Sequence, residues 1–121
     1  ARCEDWVAVA ESLIGSPYRW GGRASTGLDC SALVQLALAT AGKAVPRDSG
    51  PQHEIGEAVK VKTDLRRGDL VLWAGHVGIM QDDKKLLHAN AHHMAVVSEP
   101  LNVAEKRIAV IAGSITALRR P

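Results

Sequence analysis

The chain has 121 residues, 46% hydrophobic and 23% charged, which is one globular domain's worth of material. Fifteen Lys and Arg against thirteen Asp and Glu leave +2, too little to build a phosphate-binding surface, and aromatics at 3% exclude base-stacking platforms, so no nucleic-acid partner is expected. No apolar run approaches the ~18 residues of a membrane span, so no membrane insertion is expected either, and the first residues lack the charged-then-apolar order of a signal peptide.

The first amphipathic stretch runs from Asp5 to Ile14, with Trp6, Val7, Ala10, Leu13 and Ile14 on one helical face and Gly15-Ser16-Pro17 as the stop. The segment YRWGGRASTG, residues 18–27, has no sustained period and reads as a structured loop. From Asp29 onward Cys30, Leu33, Val34, Ala37, Leu38 and Ala41 recur at helical spacing until Gly42. Asp29 is its expected N-cap, which places Cys30 in the first turn, at the positive end of the macrodipole. Ser49-x-x-Gln52 has capping-box spacing and predicts a short third helix, with Pro51 in its first turn and Gly56 beyond its end. After Gly68 the period becomes strand-like: DLVLW, HVGIM, KLLHA and AVVSEP are separated by turn residues, and RIAVIAGSITALRR reads as a β-rich tail. Helices first and antiparallel strands afterwards predict an α+β domain, its N-terminal helices packed on a C-terminal sheet. The expected unit is a single domain over residues 1–121, and the initial Ala in place of Met fits a processed chain or a piece cut from a longer parent.

Two cysteines, Cys3 and Cys30, are too few for a disulfide scaffold, although one bridge stays open. A thiol at a helix N-terminus is what nucleophilic catalysis needs, because the macrodipole and a nearby imidazolium lower its pKa from ~8.5. The competing reading makes Cys30 a small buried hydrophobe. His76 follows Trp73-Ala74-Gly75 at the start of one strand, and His88 lies twelve residues later in the next, so an antiparallel pair brings the two rings together. Cys30 then serves as nucleophile, His76 as general base and His88 as the group that orients His76. Trp20 and Trp73 flank this site in sequence, while Trp6 belongs to the core stripe. A zinc reading of His76, His88, His92 and His93, with His88-x-x-x-His92 at helical spacing, fits poorly in a strand-and-turn segment without an HExxH glutamate, so no metal is expected. Asn90, His92 and His93 read as a polar turn near the cleft mouth, and His53 as an exposed helical residue.

In order along the chain, PYRWGG, LDCSALV, RDSGPQ, RRGDLVLW, GHVGIM and LLHAN resemble the NlpC-type family of bacterial cell-wall cysteine peptidases, which have a reduced papain-like fold. The resemblance covers nearly the whole chain from about Asp5. It implies a cysteine endopeptidase that hydrolyses peptidoglycan stem peptides, commonly at the γ-D-glutamyl–diaminopimelate bond, with Cys30, His76 and His88 as its triad and no cofactor. Tyr18 matches the family's tyrosine, whose hydroxyl helps the Cys30 N–H hold an oxyanion. Asp29, Ser31, Asp48 and Ser49, with Arg47 adjacent, match positions that line the substrate groove in relatives. Their acidic, hydroxyl and guanidinium groups suit the L-Ala amine and D-Glu α-carboxylate of a stem peptide. Asp29 and Ser49 carry the helix-cap reading as well. Relatives usually read DCSG, whereas Ala32 follows Ser31 here, which narrows any close backbone approach in that corner. Relatives that demand a free L-Ala terminus use a preceding small wall-targeting β-barrel domain as part of the pocket. Two settings fit such an enzyme, recycled fragments in the cytoplasm and intact wall in the periplasm or outside. The alternative from another class is a catalytically silent wall-binding module on the same fold, which would be expected to lack one of the three catalytic-type residues. A circularly permuted acyltransferase or amidase would place its His before its Cys, the reverse of the order here.

Overall fold

The computed structural model describes residues 5–24 and 27–121, so Cys3 and the disulfide considered for it lie outside the described residues. Helix α1 (Trp6–Glu11) is shorter than the 5–14 stretch expected from its periodicity. Residues 12–15 turn instead, because Gly15, at φ +92°, gives its N–H to the Val96 carbonyl and draws the chain to the sheet. In the glycine-rich loop a two-residue ribbon pairs β1 (Arg23–Ala24) with β2 (Gly27–Leu28). A Cβ on Gly22 would stand 2.3 Å from the Gly27 carbonyl oxygen, so only glycine permits this return of the chain.

Helix α2 (Cys30–Thr40) starts where the sequence places it, with the Asp29 carboxylate accepting the Ala32 N–H at 2.8 Å. Helix α3 (Ser49–Gln52) is present, but the capping box is not. Its N-cap is Asp48, which makes no side-chain cap bond, and Ser49 is already helical. The Gln52 amide is fully buried and donates to the carbonyls of Ser31 (3.1 Å) and Pro46 (2.8 Å). Two protein acceptors are worth more to a buried amide than one exposed N–H at a helix end. His53, expected exposed, is half-buried, with Nε2 2.6 Å from the Thr116 hydroxyl.

The remaining elements are β3 (Glu57–Ala58), a 3-10 turn at Lys62–Asp64, β4 (Leu70–Trp73), β5 (His76–Met80), β6 (Lys85–Asn90), β7 (Ala95–Pro100), α4 (Leu101–Ala112) and β8 (Ala117–Arg120). Six strands form one antiparallel sheet in the order β3-β8-β4-β5-β6-β7. Alternation along the strands assigns its faces. Leu70, Leu72, Val77, Ile79, Leu87 and Ala89 join the core under α1 and α2, while Val71, Trp73, Met80 and Leu86 join the core under α4. The fold is α+β, as expected, with helices on both faces.

The β-rich tail expected over residues 107–120 is overturned in its first half, which is the end of α4. Ile108, Val110 and Ile111 favour a strand by composition, but Leu101, Ala104 and Ile108 share a helical stripe that seals the second core, and Gly113 at φ +79° stops the helix. Tertiary burial outweighs β propensity here, and the helices-then-strands order breaks at α4.

A strand would put Ile108 and Val110 on the same face, whereas the helix leaves them 5% and 86% exposed. Ile108→Ala is therefore expected to cost about 3 kcal/mol in urea unfolding. For Val110→Ala the expected change stays within about 0.5 kcal/mol. Equal losses at the two positions would contradict the helix.

Candidate active site

Cys30 is the first residue of α2 and is 8% exposed. It lines two adjoining cavities. One, of about 430 Å³, is polar and also bounded by Tyr18, Trp20, Asp29, Ser31, Arg47, Asp48 and Ser49. The other, about 210 Å³, is bounded by Tyr18, His76, Asn90, His92, Arg107 and Ile111 among others. The structure thus brings every sequence-predicted site residue except the buried His88 to the walls of these cavities, and His88 touches His76 from below. Of the two tryptophans that flank the site in sequence, Trp20 stands 89% exposed at the rim and Trp73 is fully buried beneath it.

The polar cavity is organised by one carboxylate. Asp29 accepts two parallel bonds from the Arg47 guanidinium, both 2.9 Å, along with the Ala32 N–H and, at 3.2 Å, the Gly21 N–H. Arg47 also reaches the Ser31 hydroxyl (2.9 Å) and the Gly22 carbonyl (3.3 Å). Burial on its own would raise the Asp29 carboxyl, but Arg47 and the Ala32 N–H outweigh it and hold the group below the usual carboxylate range. Asp29 is therefore a helix cap and an ion-pair partner at once. Asp48 is exposed on the same wall and Ser49 is half-buried.

At the other cavity, β5 and β6 place His76 and His88 with ring centroids 4.9 Å apart and His76 Nε2 2.7 Å from His88 Nδ1. Cys30 lines the same cavity as the His76 ring. Burial is the largest influence on the thiol and pushes it up, against the N–H groups of Val77, Ser31 and Cys30. This net direction is opposite to the lowering expected at a helix N-terminus, because burial at so enclosed a site favours the uncharged thiol. Burial, and then His88, push His76 down to about 3. Both shifts favour the uncharged forms, a thiol on Cys30 and a neutral imidazole on His76. Tyr18 is raised by burial and by its proximity to Cys30.

Three participants were not signalled by motif reading. Glu99 of β7 receives His88 Nε2 at 2.7 Å and is clamped by Arg107 of α4, with Nη1 and Nη2 at 2.7 and 2.8 Å from its two oxygens. Gln52 fixes the Ser31 carbonyl next to Cys30. Arg107, at the start of the tail expected to be β-rich, reaches Glu99 because residues 101–112 are helical. Among the described residues, no group of three His, Cys, Asp or Glu side chains is placed to hold a metal ion.

The model of the NlpC/P60 family matches residues 15–111. A γ-D-glutamyl-L-lysine dipeptidyl-peptidase of Bacillus cereus is 33% identical over 107 residues, which cover 82% of this chain and 32% of that protein. The crystal structure of an NlpC/P60 family protein from Bacillus cereus superposes with a TM-score of 0.83 at 29% identity, over 97% of this chain and 39% of the other. The peptidoglycan hydrolase RipB of Mycobacterium tuberculosis gives a TM-score of 0.79 at 29% identity, over 97% of this chain and 63% of RipB. The chain thus spans less than two thirds of each of these proteins.

The buried histidines make stability depend on pH. Above the ordinary histidine value of about 6.5 both rings are neutral in the folded and unfolded chain, and their contribution is complete. Below it the unfolded chain binds protons that the folded chain refuses, for His76 until about pH 3, and His88 is shifted the same way by burial. Stability should fall between pH 6.5 and 4 with a slope of about 1.4 kcal/mol per pH unit from His76, steepened by His88 in the same direction, read from urea midpoints. A flat profile from pH 7 to 5 would contradict their burial as neutral rings.

Proposed function

The chain belongs to the NlpC/P60 family, with its papain-like cysteine peptidase fold, and from that membership and the cleft geometry we propose that residues 1–121 are one catalytic domain that hydrolyses peptidoglycan stem peptides. The bond we assign is γ-D-glutamyl–diaminopimelate. The observation that carries the reading is Cys30 at the start of α2, lining both cavities and sharing one of them with His76.

In this reading the Cys30 sulfur attacks the γ-carbonyl of D-Glu as its proton passes to the free nitrogen of His76. The oxyanion of the tetrahedral intermediate is held by the Cys30 N–H and the Tyr18 hydroxyl. His76 then returns the proton to the leaving amine, and a thioester remains. Water, deprotonated by the same ring, cleaves it and frees Cys30. His88 orients His76 throughout. The polar cavity suits the acyl side of the scissile bond: Asp48 is an exposed carboxylate for the L-Ala amine, and Ser31 and Ser49 offer hydroxyls to the D-Glu backbone. Because Arg47 already meets Asp29 with two parallel bonds, it serves the D-Glu α-carboxylate only as a shared partner. The smaller cavity, walled by His92, Ile108 and Ile111, receives the leaving amine and its side chain. A silent wall-binding module would have no use for a buried two-histidine chain aimed at a thiol, since buried titratable groups cost stability.

Stem peptides carrying γ-D-Glu–diaminopimelate or γ-D-Glu–L-Lys, followed by mass spectrometry, test the bond. Cleavage of the former with release of a diaminopimelyl fragment is expected. Preference for the lysyl peptide would overturn the diaminopimelate assignment, and cleavage of neither would overturn the substrate class. Cys30→Ala and His76→Ala should each lower turnover by about 10⁴-fold or more without unfolding the protein. The depressed His76 value also sets a pH dependence: a base that stays unprotonated to about 3 keeps kcat/KM high at pH 5, and an acidic limb near the ordinary histidine value would contradict it.

A further inference from the structure

We propose that Glu99, anchored by Arg107, is a positioning residue that fixes the tautomers of both histidines and thereby leaves the base lone pair on the ring nitrogen of His76 that His88 does not engage. The inference rests on the reading of Cys30 as nucleophile and His76 as base. Its starting point is a continuous run of short contacts beneath the cleft. Arg107 meets both oxygens of Glu99, Glu99 Oε2 lies 2.7 Å from His88 Nε2, and His88 Nδ1 lies 2.7 Å from His76 Nε2.

A carboxylate whose two oxygens both take guanidinium bonds carries no proton, so toward His88 it only accepts. His88 Nε2 must then bear the hydrogen. A neutral ring protonated there presents a lone pair on Nδ1, and that lone pair can only accept from His76 Nε2–H. His76 in turn keeps its second nitrogen unprotonated, and the ring lines the same cavity as the Cys30 thiol. Three elements are thus aligned by the one group that cannot itself change roles.

The opposing influences can be named. Asn90 Nδ2, a donor, stands 3.3 Å from His88 Nε2 and favours the other tautomer, while its Oδ1 is engaged by the N–H of His93 at 2.9 Å. His93 Nδ1 is 3.9 Å from Glu99. Around His88 the titratable and charged groups are therefore His76 from β5, Glu99 from β7, Arg107 from α4 and His93 from the turn after β6, while the Cys30 thiol of α2 shares its cavity with His76. An ionised acceptor at 2.7 Å outweighs a neutral amide at 3.3 Å, because charge-assisted bonds are roughly twice as strong. Without Glu99 the balance reverses. The groups left facing Nε2, the Asn90 amide and the Arg107 guanidinium, are all donors. Nε2 would then accept, Nδ1 would carry the hydrogen and donate to His76 Nε2, and the proton on His76 would move to its other nitrogen. The base would be blocked with its ring still in place.

Long-range 1H–15N spectra of the full chain labelled at histidine, at pH 8, read the tautomers without any activity. The expected result is Nε2–H on both His76 and His88; Nδ1–H on His88 in the wild-type protein would overturn the proposal outright. In Glu99→Ala, His76 should switch to Nδ1–H, and kcat should fall about 100-fold while KM changes less than about threefold. A kcat unchanged in Glu99→Ala, or lost while the His76 tautomer stays as in wild type, would overturn it as well. If Glu99→Ala does not fold, the wild-type spectrum decides. An active Cys30→Ala variant would refute the nucleophile reading and leave the spectra unaffected, so the two failures are separable.

Discussion

A neutral imidazole under a β-sheet needs both ring nitrogens satisfied, and the cleft is built around that demand. His88 is fully buried, and its two nitrogens reach His76 on one side and Glu99 on the other, each at 2.7 Å. Burial alone would raise the Glu99 carboxyl; Arg107 and His88 outweigh it and hold it far below the usual carboxylate range. Arg107 belongs to α4, so the helix that seals the second core also delivers the cation that keeps Glu99 ionised. Packing and chemistry share one element here. Loosening α4 would disturb the histidines before it disturbed the strands, since the sheet keeps α1 and α2 on its other face.

The opposite wall follows the same logic with a different acid. Asp29 ends the loop, caps α2, pairs with Arg47 and holds the Gly21 N–H, so a single carboxylate ties together the loop, the helix that begins at Cys30 and the segment before α3. Gln52 completes the support by taking the Ser31 carbonyl from behind. Cys30 therefore sits between two clamped carboxylates, Asp29 beside it and Glu99 two side chains away. Neither is free to take the thiol proton, which leaves His76 as the group with an open lone pair.

Much of this was legible in the sequence, and the exceptions have physical causes. The helix at Cys30, its Asp29 cap and the strand pair that juxtaposes His76 and His88 follow from local periodicity and turn residues, which act over a few positions. The ordered motifs from PYRWGG to LLHAN gave the family and the fold. What escaped depends on tertiary contacts. Residues 107–112 read as strand through Ile108, Val110 and Ile111, yet Ile108 seals a core with Leu101 and Ala104 only as a helix. Glu99 reads as the polar end of a strand, because nothing local announces that it reaches His88 diagonally, past its own register partner Leu86. Ser49 and Gln52 have capping-box spacing, but the buried carbonyls of Ser31 and Pro46 draw the amide inward. The direction of the Cys30 shift was misjudged for the same reason, since the degree of burial is invisible in a helix start.

The central claim is that turnover passes through the Cys30 sulfur in the cleft it shares with His76. The direct measurement is iodoacetamide modification of the native protein, with the modified residue mapped and peptidase activity on a γ-D-Glu–diaminopimelate stem peptide assayed in the same samples. The account predicts that activity falls in one-to-one proportion with carbamidomethylation of Cys30. Activity that survives complete modification of Cys30 would contradict it.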